Sequence, residues 1–466
     1  MLGNLIQYFY PQLERDEIKK FSLLSCIFVL IIGTYWLLRL FKDTLFLTIA
    51  FPESLGWLPQ QGILFQPLAK SLSPFIVLAI VLIYSKLIDL FKKHQLFYII
   101  CSFYALIFTF IAGILFVNDL YGAEAIGRTL LAATGWFSYF AVESFGSLVP
   151  ALFWSFLNSI TTTESAKSGF PFVIASAQLG AIAGSGLLFF SDSIGSLWPI
   201  MGLSAIFITS VIPLVKYFIS TIPADQLIGN KAAAETEKVK EGFIKGLVSG
   251  FTLLITRPYL IGVLIVSTFY EAIAQVIEYQ MKTQACSSVD YCSPTAFSKF
   301  YSIYGVCINT LSFLIALLGT QKIIQKFGTR RTLLIYPIAV FIALISLYTY
   351  FKFGAPSPKH LLWTTFGIMV VIKGLAYALN NPIKEIMYIP TSKDAKFKSK
   401  GWIDTFGSRF AKAGGAQVTN AFKYNLSDLM IYGTIFGFGL NAIWFIAALY
   451  VGFKNSKLIK EGKIIE

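Results

Sequence analysis

Runs of about twenty apolar residues recur from Phe21 to Phe453, and each is long enough to cross a ~30 Å hydrocarbon layer as a helix. Backbone in lipid must satisfy its own N–H and C=O groups, so a chain of such runs folds as a bundle of membrane-spanning helices. Composition agrees with this. Of the 466 residues, 56% are hydrophobic and 13% charged, with mean hydropathy +0.69, whereas a soluble domain keeps about 25% charged residues. A water-soluble enzyme is excluded. The first run follows about twenty polar residues that include Glu14, Asp16 and Glu17, and no small-residue cleavage signal succeeds it, so it reads as a retained span.

Twelve spans are expected, at 21–41, 63–84, 97–117, 129–157, 170–190, 196–218, 259–281, 301–318, 332–350, 361–379, 402–424 and 429–453. An even number puts both termini on one side. Of the 38 Lys and Arg residues, 26 fall in loops on that side, 7 in the opposite loops and 5 in or at spans, which sets both termini in the cytoplasm. The net charge of +14 therefore belongs to cytoplasmic loops and does not imply a nucleic-acid partner. The longest polar stretch, 220–250, carries Asp225, Glu235, Lys238 and Glu241. It divides the chain into an N-terminal six-helix bundle (1–219), a cytoplasmic linker (220–250) and a C-terminal six-helix bundle (251–466).

The loop after the second span reads Lys86-Leu87-Ile88-Asp89-Leu90-Phe91-Lys92-Lys93, and the loop after the eighth runs from Lys322 through Gln325, Lys326, Gly328 and Thr329 to Arg330 and Arg331. Both resemble the basic loop of the major facilitator superfamily, Gly-x-x-x-Asp-Arg-x-Gly-Arg-Arg in full form. The first lacks its glycines, and the second has Gln325 in place of the acid. Their recurrence at matching positions fits two parallel repeats in an all-α, major-facilitator-like fold.

An ionisable residue at the centre of a span costs about 2.5–3.5 kcal/mol on insertion scales, so each is a functional candidate. Arg39, Lys70, Lys373, Arg409 and Lys412 stand against Glu143, Glu271 and Glu278. Surplus cations in a protein-lined cavity suit a polyanionic solute such as a phosphate or nucleotide. Structural salt bridges or snorkelling would explain any one of these residues, but less readily the whole set. On the eleventh span Arg409, Lys412, Ala416, Thr419 and Lys423 recur at helical spacing and form one stripe. The run Ala413-Gly414-Gly415-Ala416 beside it admits the close approach of another backbone or of a ligand. Glu271, Gln275, Glu278 and Lys282 share a face of the seventh span, and Glu143 sits near the middle of the fourth. Pro67 and Pro74 interrupt the second span beside Lys70. Aromatic residues such as Tyr139, Phe145, Tyr270 and Trp402 have the shape to stack on a base, although most aromatics in so aromatic a chain must simply pack.

The two histidines, His94 and His360, lie in loops, and no zinc, triad-hydrolase or phosphate-loop motif occurs. Neither metal, cofactor nor catalytic residue is expected, and a nucleotide would be carried without being cleaved. Cys286 and Cys292 share a loop, where a disulfide forms only if that loop faces an oxidising compartment.

The segment Asn381-Pro382-Ile383-Lys384-Glu385-Ile386-Met387-Tyr388-Ile389-Pro390, continuing to Gly407-Ser408-Arg409-Phe410-Ala411-Lys412-Ala413-Gly414-Gly415-Ala416, resembles the signature of the ATP/ADP translocases of obligate intracellular bacteria and plastids. Leu38-Arg39-Leu40-Phe41-Lys42-Asp43-Thr44, the block Glu143-Ser144-Phe145-Gly146-Ser147, and Glu278 with Lys282 are similar to that family as well. By motif, the family's two functional lysines and two glutamates fall on Lys70, Glu143, Glu278 and Lys412. The resemblance implies a transporter that imports ATP against ADP by alternating access, with Arg409 as a further phosphate ligand. Arg39, Lys42, Asp43, Glu271, Gln275, Lys282, Lys373, Asn381, Lys384 and Glu385 are accessory candidates. A proton-coupled nucleotide symporter using Glu143 or Glu271, or an exchanger for another nucleotide or NAD, remains the alternative. Such a protein is expected to act as a monomer in the lipid bilayer of the bacterial inner membrane.

Overall fold

The computed structural model describes residues 15–223 and 243–465. Most of the expected linker, including Asp225, Glu235, Lys238 and Glu241, lies outside the described residues. The described chain is helical apart from turns and one isolated β-bridge. We label the principal helices α1 (Arg15–Thr48), α2 (Gln61–Leu90), α3 (Lys93–Tyr121), α4 (Arg128–Ser159), α5 (Thr163–Leu187), α6 (Trp198–Thr221), α7 (Phe243–Thr256), α8 (Pro258–Cys286), α9 (Pro294–Leu318), α10 (Thr320–Phe353), α11 (Pro358–Leu375), α12 (Asn381–Met387), α13 (Lys393–Trp402), α14 (Ser408–Phe422) and α15 (Leu426–Glu461).

Eleven helical segments among the described residues are long and apolar enough to cross a membrane. The segment expected as the eleventh of twelve spans is helical but is not among them. It is assembled from α13, a π-helical turn at Ile403–Gly407 and α14, and the polar residues that make it interesting are what lower its hydropathy. A second π turn, Ala376–Asn380, joins α11 to α12. α7 arises where the sequence suggested the end of a linker, and it packs along α13, with Phe251 and Trp402 rings 5.3 Å apart.

Packing divides the chain into two compact units, Met1–Pro59 with Ile76–Lys240 and Pro294–Val306, and Gln60–Phe75 with Glu241–Ser293 and Cys307–Glu466. In the first unit α1 packs along α5 and α3 along α6; in the second, α8 packs along α14 and α10 along α15. The same pairing thus recurs at equivalent places in the chain, as parallel repeats require. The first half of α2 belongs to the second unit, and the change of unit falls beside Pro74. Pro67 has no N–H to give to the Ile63 carbonyl one turn earlier, and the hydroxyl of Tyr279 on α8 donates to that carbonyl instead, at 3.1 Å. In α10 the basic stretch bends at Gly328, whose φ of 70° breaks the helical path.

The signature segment is closed by main-chain pairing. The N–H of Ser392 donates to Ile465 O at 2.8 Å, and the N–H of Ile465 donates to Pro390 O at 2.9 Å. Cys286 and Cys292 are free thiols, the first buried and the second exposed.

Candidate functional site

α8 is enclosed along most of its length, and Ser267, Glu271, Gln275, Glu278 and Lys282 form a buried polar stripe on it. Buried charges persist only when they are paired and hydrogen-bonded. Here each one is. Lys282 reaches back one turn to Glu278 Oε1 at 3.0 Å and has a fully enclosed side chain. Glu271 gathers donors from three helices. Its Oε2 accepts from Lys373 of α11 at 2.9 Å; its Oε1 accepts from the Tyr270 hydroxyl at 3.0 Å and the Ser408 hydroxyl at 3.4 Å, and lies 3.5 Å from the Lys412 ammonium of α14. The sequence placed Lys412 among the phosphate ligands and made Glu271 an accessory; in the folded chain Glu271 is the centre on which Lys373 and Lys412 converge. The Nε2 of Gln275, also buried, has no hydrogen-bond partner among the described residues.

What draws α14 close enough is Gly415. A β-carbon placed there would lie 2.5 Å from the Ala272 carbonyl oxygen of α8, the residue next to Glu271. A β-carbon at the neighbouring Gly414 would meet nothing within 4 Å. Gly415→Ala is therefore expected to push α14 off α8 and lengthen the Lys412–Glu271 contact, with loss of transport, whereas Gly414→Ala leaves the packing intact. Comparing thermal stability and nucleotide exchange of the two variants checks this; equal behaviour would show that the helices do not depend on that contact. Ala416 and Thr419 of the expected stripe are buried with Gly415. The stripe is therefore largely the packing face of α14, from which Lys412 extends to Glu271 with 30% of its side chain still exposed.

The segment that carries Lys70 also lies in this unit. Gln417 of α14 donates to the Ser71 hydroxyl at 2.8 Å, and the Phe75 and Phe410 rings pack edge-to-face with centroids 6.0 Å apart. Lys70 and Arg409, each half-buried, stand next in sequence to these contacting residues. The second unit thus brings Lys70, Glu271, Gln275, Glu278, Lys282, Lys373, Arg409 and Lys412 onto α2, α8, α11 and α14.

Glu143 belongs to the first unit, as do Arg39, Lys42 and Asp43. The Lys42 ammonium lies 3.1 Å from Asp43 Oδ1, 3.2 Å from Glu143 Oε1 and 4.1 Å from the centre of the Tyr139 ring, with only 3% of the side chain exposed. Arg39 stacks its guanidinium over Trp36 at 4.7 Å. Glu143, placed by the sequence near the middle of the fourth span, is thus paired with a lysine from α1.

Lys384 and Glu385 of the signature form cross-links within the hairpin. Lys384 pairs with Asp404 at 2.8 Å and Glu385 with Lys400 at 2.7 Å, tying α12 to α13 and its π turn. Asn381 is half-buried at the start of α12. Sequence reasoning missed Asp404 because nothing in its spacing links it to Lys384. It also missed Ser408, although a serine four residues before Lys412 was a readable neighbour on the same face. Among the described residues no cluster of His, Cys, Asp and Glu is placed to hold a metal ion.

Comparison with known proteins decides the family. The profile of the TLC ATP/ADP transporter family matches residues 1–451. This chain belongs to that family. Among its relatives are ADP,ATP carrier protein 1 of Rickettsia bellii, 25% identical with 90% of this chain and 89% of the relative covered, and the chloroplastic ADP,ATP carrier protein 2 of Arabidopsis thaliana, 24% identical over 97% and 77%. Solved structures of similar fold include a POT family transporter in complex with 5-aminolevulinic acid (TM-score 0.61, 12% identity, 94% of this chain and 96% of that one) and a D-xylose–proton symporter (0.58, 12%, 93% and 97%). The TLC chain is therefore a multi-pass membrane protein with a major-facilitator-like fold, and the carriers among its relatives agree with the transport expected from its residues.

Proposed function

We propose that this protein exchanges ATP for ADP across the bacterial inner membrane by alternating access, importing ATP. The observation that carries the reading is membership of an ATP/ADP transporter family over nearly the whole chain. The cations of the second unit support it chemically, because Lys412 and Arg409 on α14 and Lys70 on α2 supply the positive charge that a polyphosphate needs in a water-poor site. Glu143 and Glu278 neutralise Lys42 and Lys282, which leaves Lys412 to change partners between Glu271 and substrate phosphate. Basic loops hold both termini in the cytoplasm. The protein acts as a monomer, since one chain carries both repeats and all of these charges.

The test is uptake of labelled ATP by proteoliposomes, empty or preloaded with ADP, with and without an imposed pH gradient. Uptake only into ADP-loaded vesicles is expected. Gradient-driven uptake into empty vesicles would overturn exchange in favour of proton symport. In the same vesicles Lys412→Ala is expected to lose about 10- to 100-fold in kcat/KM, the scale of one charge-assisted hydrogen bond to phosphate. Unchanged kinetics would remove Lys412 from the binding machinery.

A further inference from the structure

Glu271 occupies an anion site that the protein supplies to itself. Tyr270 on α8, Lys373 on α11, and Ser408 and Lys412 on α14 all converge on its two oxygens at 2.9–3.5 Å. The two lysines are held differently. Lys373 is enclosed, with 4% of its side chain exposed, and is in close contact with Oε2, whereas Lys412 is 30% exposed and sits at the looser 3.5 Å. Lys373 takes a counter-charge from Glu271, as a buried ammonium needs. Lys412 has access to a second anion. Together the three ionic side chains sum to one positive charge, and the carboxylate fixes that sum.

We propose that Glu271 is a specificity-determining residue that sets how much negative charge the site prefers in its nucleotide, by acting as a resident anion for Lys373 and Lys412. The inference rests on the exchange reading above. ADP and ATP differ by one phosphoryl group and one negative charge near neutral pH. The net charge of this cluster weighs the two nucleotides against each other. Removing the carboxylate charge raises the sum to two and favours ATP; removing the Lys373 charge lowers it to zero and favours ADP; removing both restores the sum.

The experiment measures the ratio of kcat/KM for ATP to that for ADP, in proteoliposomes preloaded with the other nucleotide. The proteins are wild type, Glu271→Gln, Lys373→Gln, the double variant and Glu271→Asp. One partly screened charge is worth up to about fivefold. The expected result is a ratio about fivefold higher in Glu271→Gln, about fivefold lower in Lys373→Gln, and within twofold of wild type in the double variant. Glu271→Asp, which keeps the charge, is expected to keep the wild-type ratio. A double variant that behaves like either single one, or an Asp variant that shifts as far as Gln, would overturn the proposal and leave Glu271 as a packing contact. If Glu271→Gln alone does not fold, Lys373→Gln against the double variant makes the same comparison. A wild-type protein that exchanges neither nucleotide would instead overturn the exchange reading itself.

Discussion

Replacing Lys42 with methionine is expected to destabilise the protein by about 3–5 kcal/mol, the usual cost of removing one partner from a buried ion pair. The side chain is almost wholly enclosed, with two carboxylates and an aromatic face around its ammonium. Methionine fills a similar volume, so the effect reports charge and not a cavity. Asp43 and Glu143 would lose the ammonium they share, and each would then oppose ionisation of the other. Thermal unfolding in detergent should show a drop of several degrees. Adding Glu143→Gln should recover part of it, since one of the two like charges disappears. A Lys42→Met protein that melts like wild type would mean that the cluster is solvated and contributes little to stability.

The second large effect is expected where α1 and α5 cross. A β-carbon on Gly184 would lie 2.0 Å from the Gly33 carbonyl oxygen, and one on Gly180 would lie 2.6 Å from that of Val29. Both obstacles are backbone, which cannot swing aside as a side chain does. Gly184→Ala therefore forces the two helices apart, at a cost of about 3 kcal/mol or more once the lost packing along the crossing is included. Gly202→Ala on α6 is the matched control. Its new methyl would meet nothing within 4 Å, and alanine is the better helix former by about 1 kcal/mol. The two substitutions should move the melting temperature in opposite directions. A Gly184→Ala protein as stable as the control would show that the crossing is looser than this backbone contact implies.

How much of this was legible in the sequence follows from what fixes each feature. Spacing within one helix is set by the 3.6-residue turn, so the stripes on α8 and α14 were readable before any packing was known. The meeting of Lys373 with Glu271 was not, because it depends on α8, α11 and α14 coming together, and no one-dimensional pattern encodes that. Glu143 was identified by its charge within a span and Lys42 through a family motif, yet their pairing joins α1 to α4 and left no signal in either segment. Charge led the span count the other way. Residues 402–424 were read as one of twelve spans, while their own polarity keeps α14 below the hydropathy of the other eleven. α7 was overlooked because the polar residues just before it extended the apparent linker into a helix. The basic loop motifs, though degenerate, marked the real turns: α2 passes to α3 at Phe91 and Lys92, and α10 bends at Gly328.

The two π turns, Ala376–Asn380 and Ile403–Gly407, bear on how this chain should be matched to its relatives. A π turn is the form an α-helix takes when it accommodates one additional residue without breaking. Beyond such a point every side chain is rotated by roughly 100°, one residue's share of a helical turn. An ungapped alignment through 376–380 or 403–407 against a relative with an uninterrupted helix would thus equate residues on different faces. Matching Lys373 or Lys412 to a counterpart requires a single-residue gap to be considered at each turn, and structural superposition of α11 and α14 is the sounder guide to which cation corresponds to which.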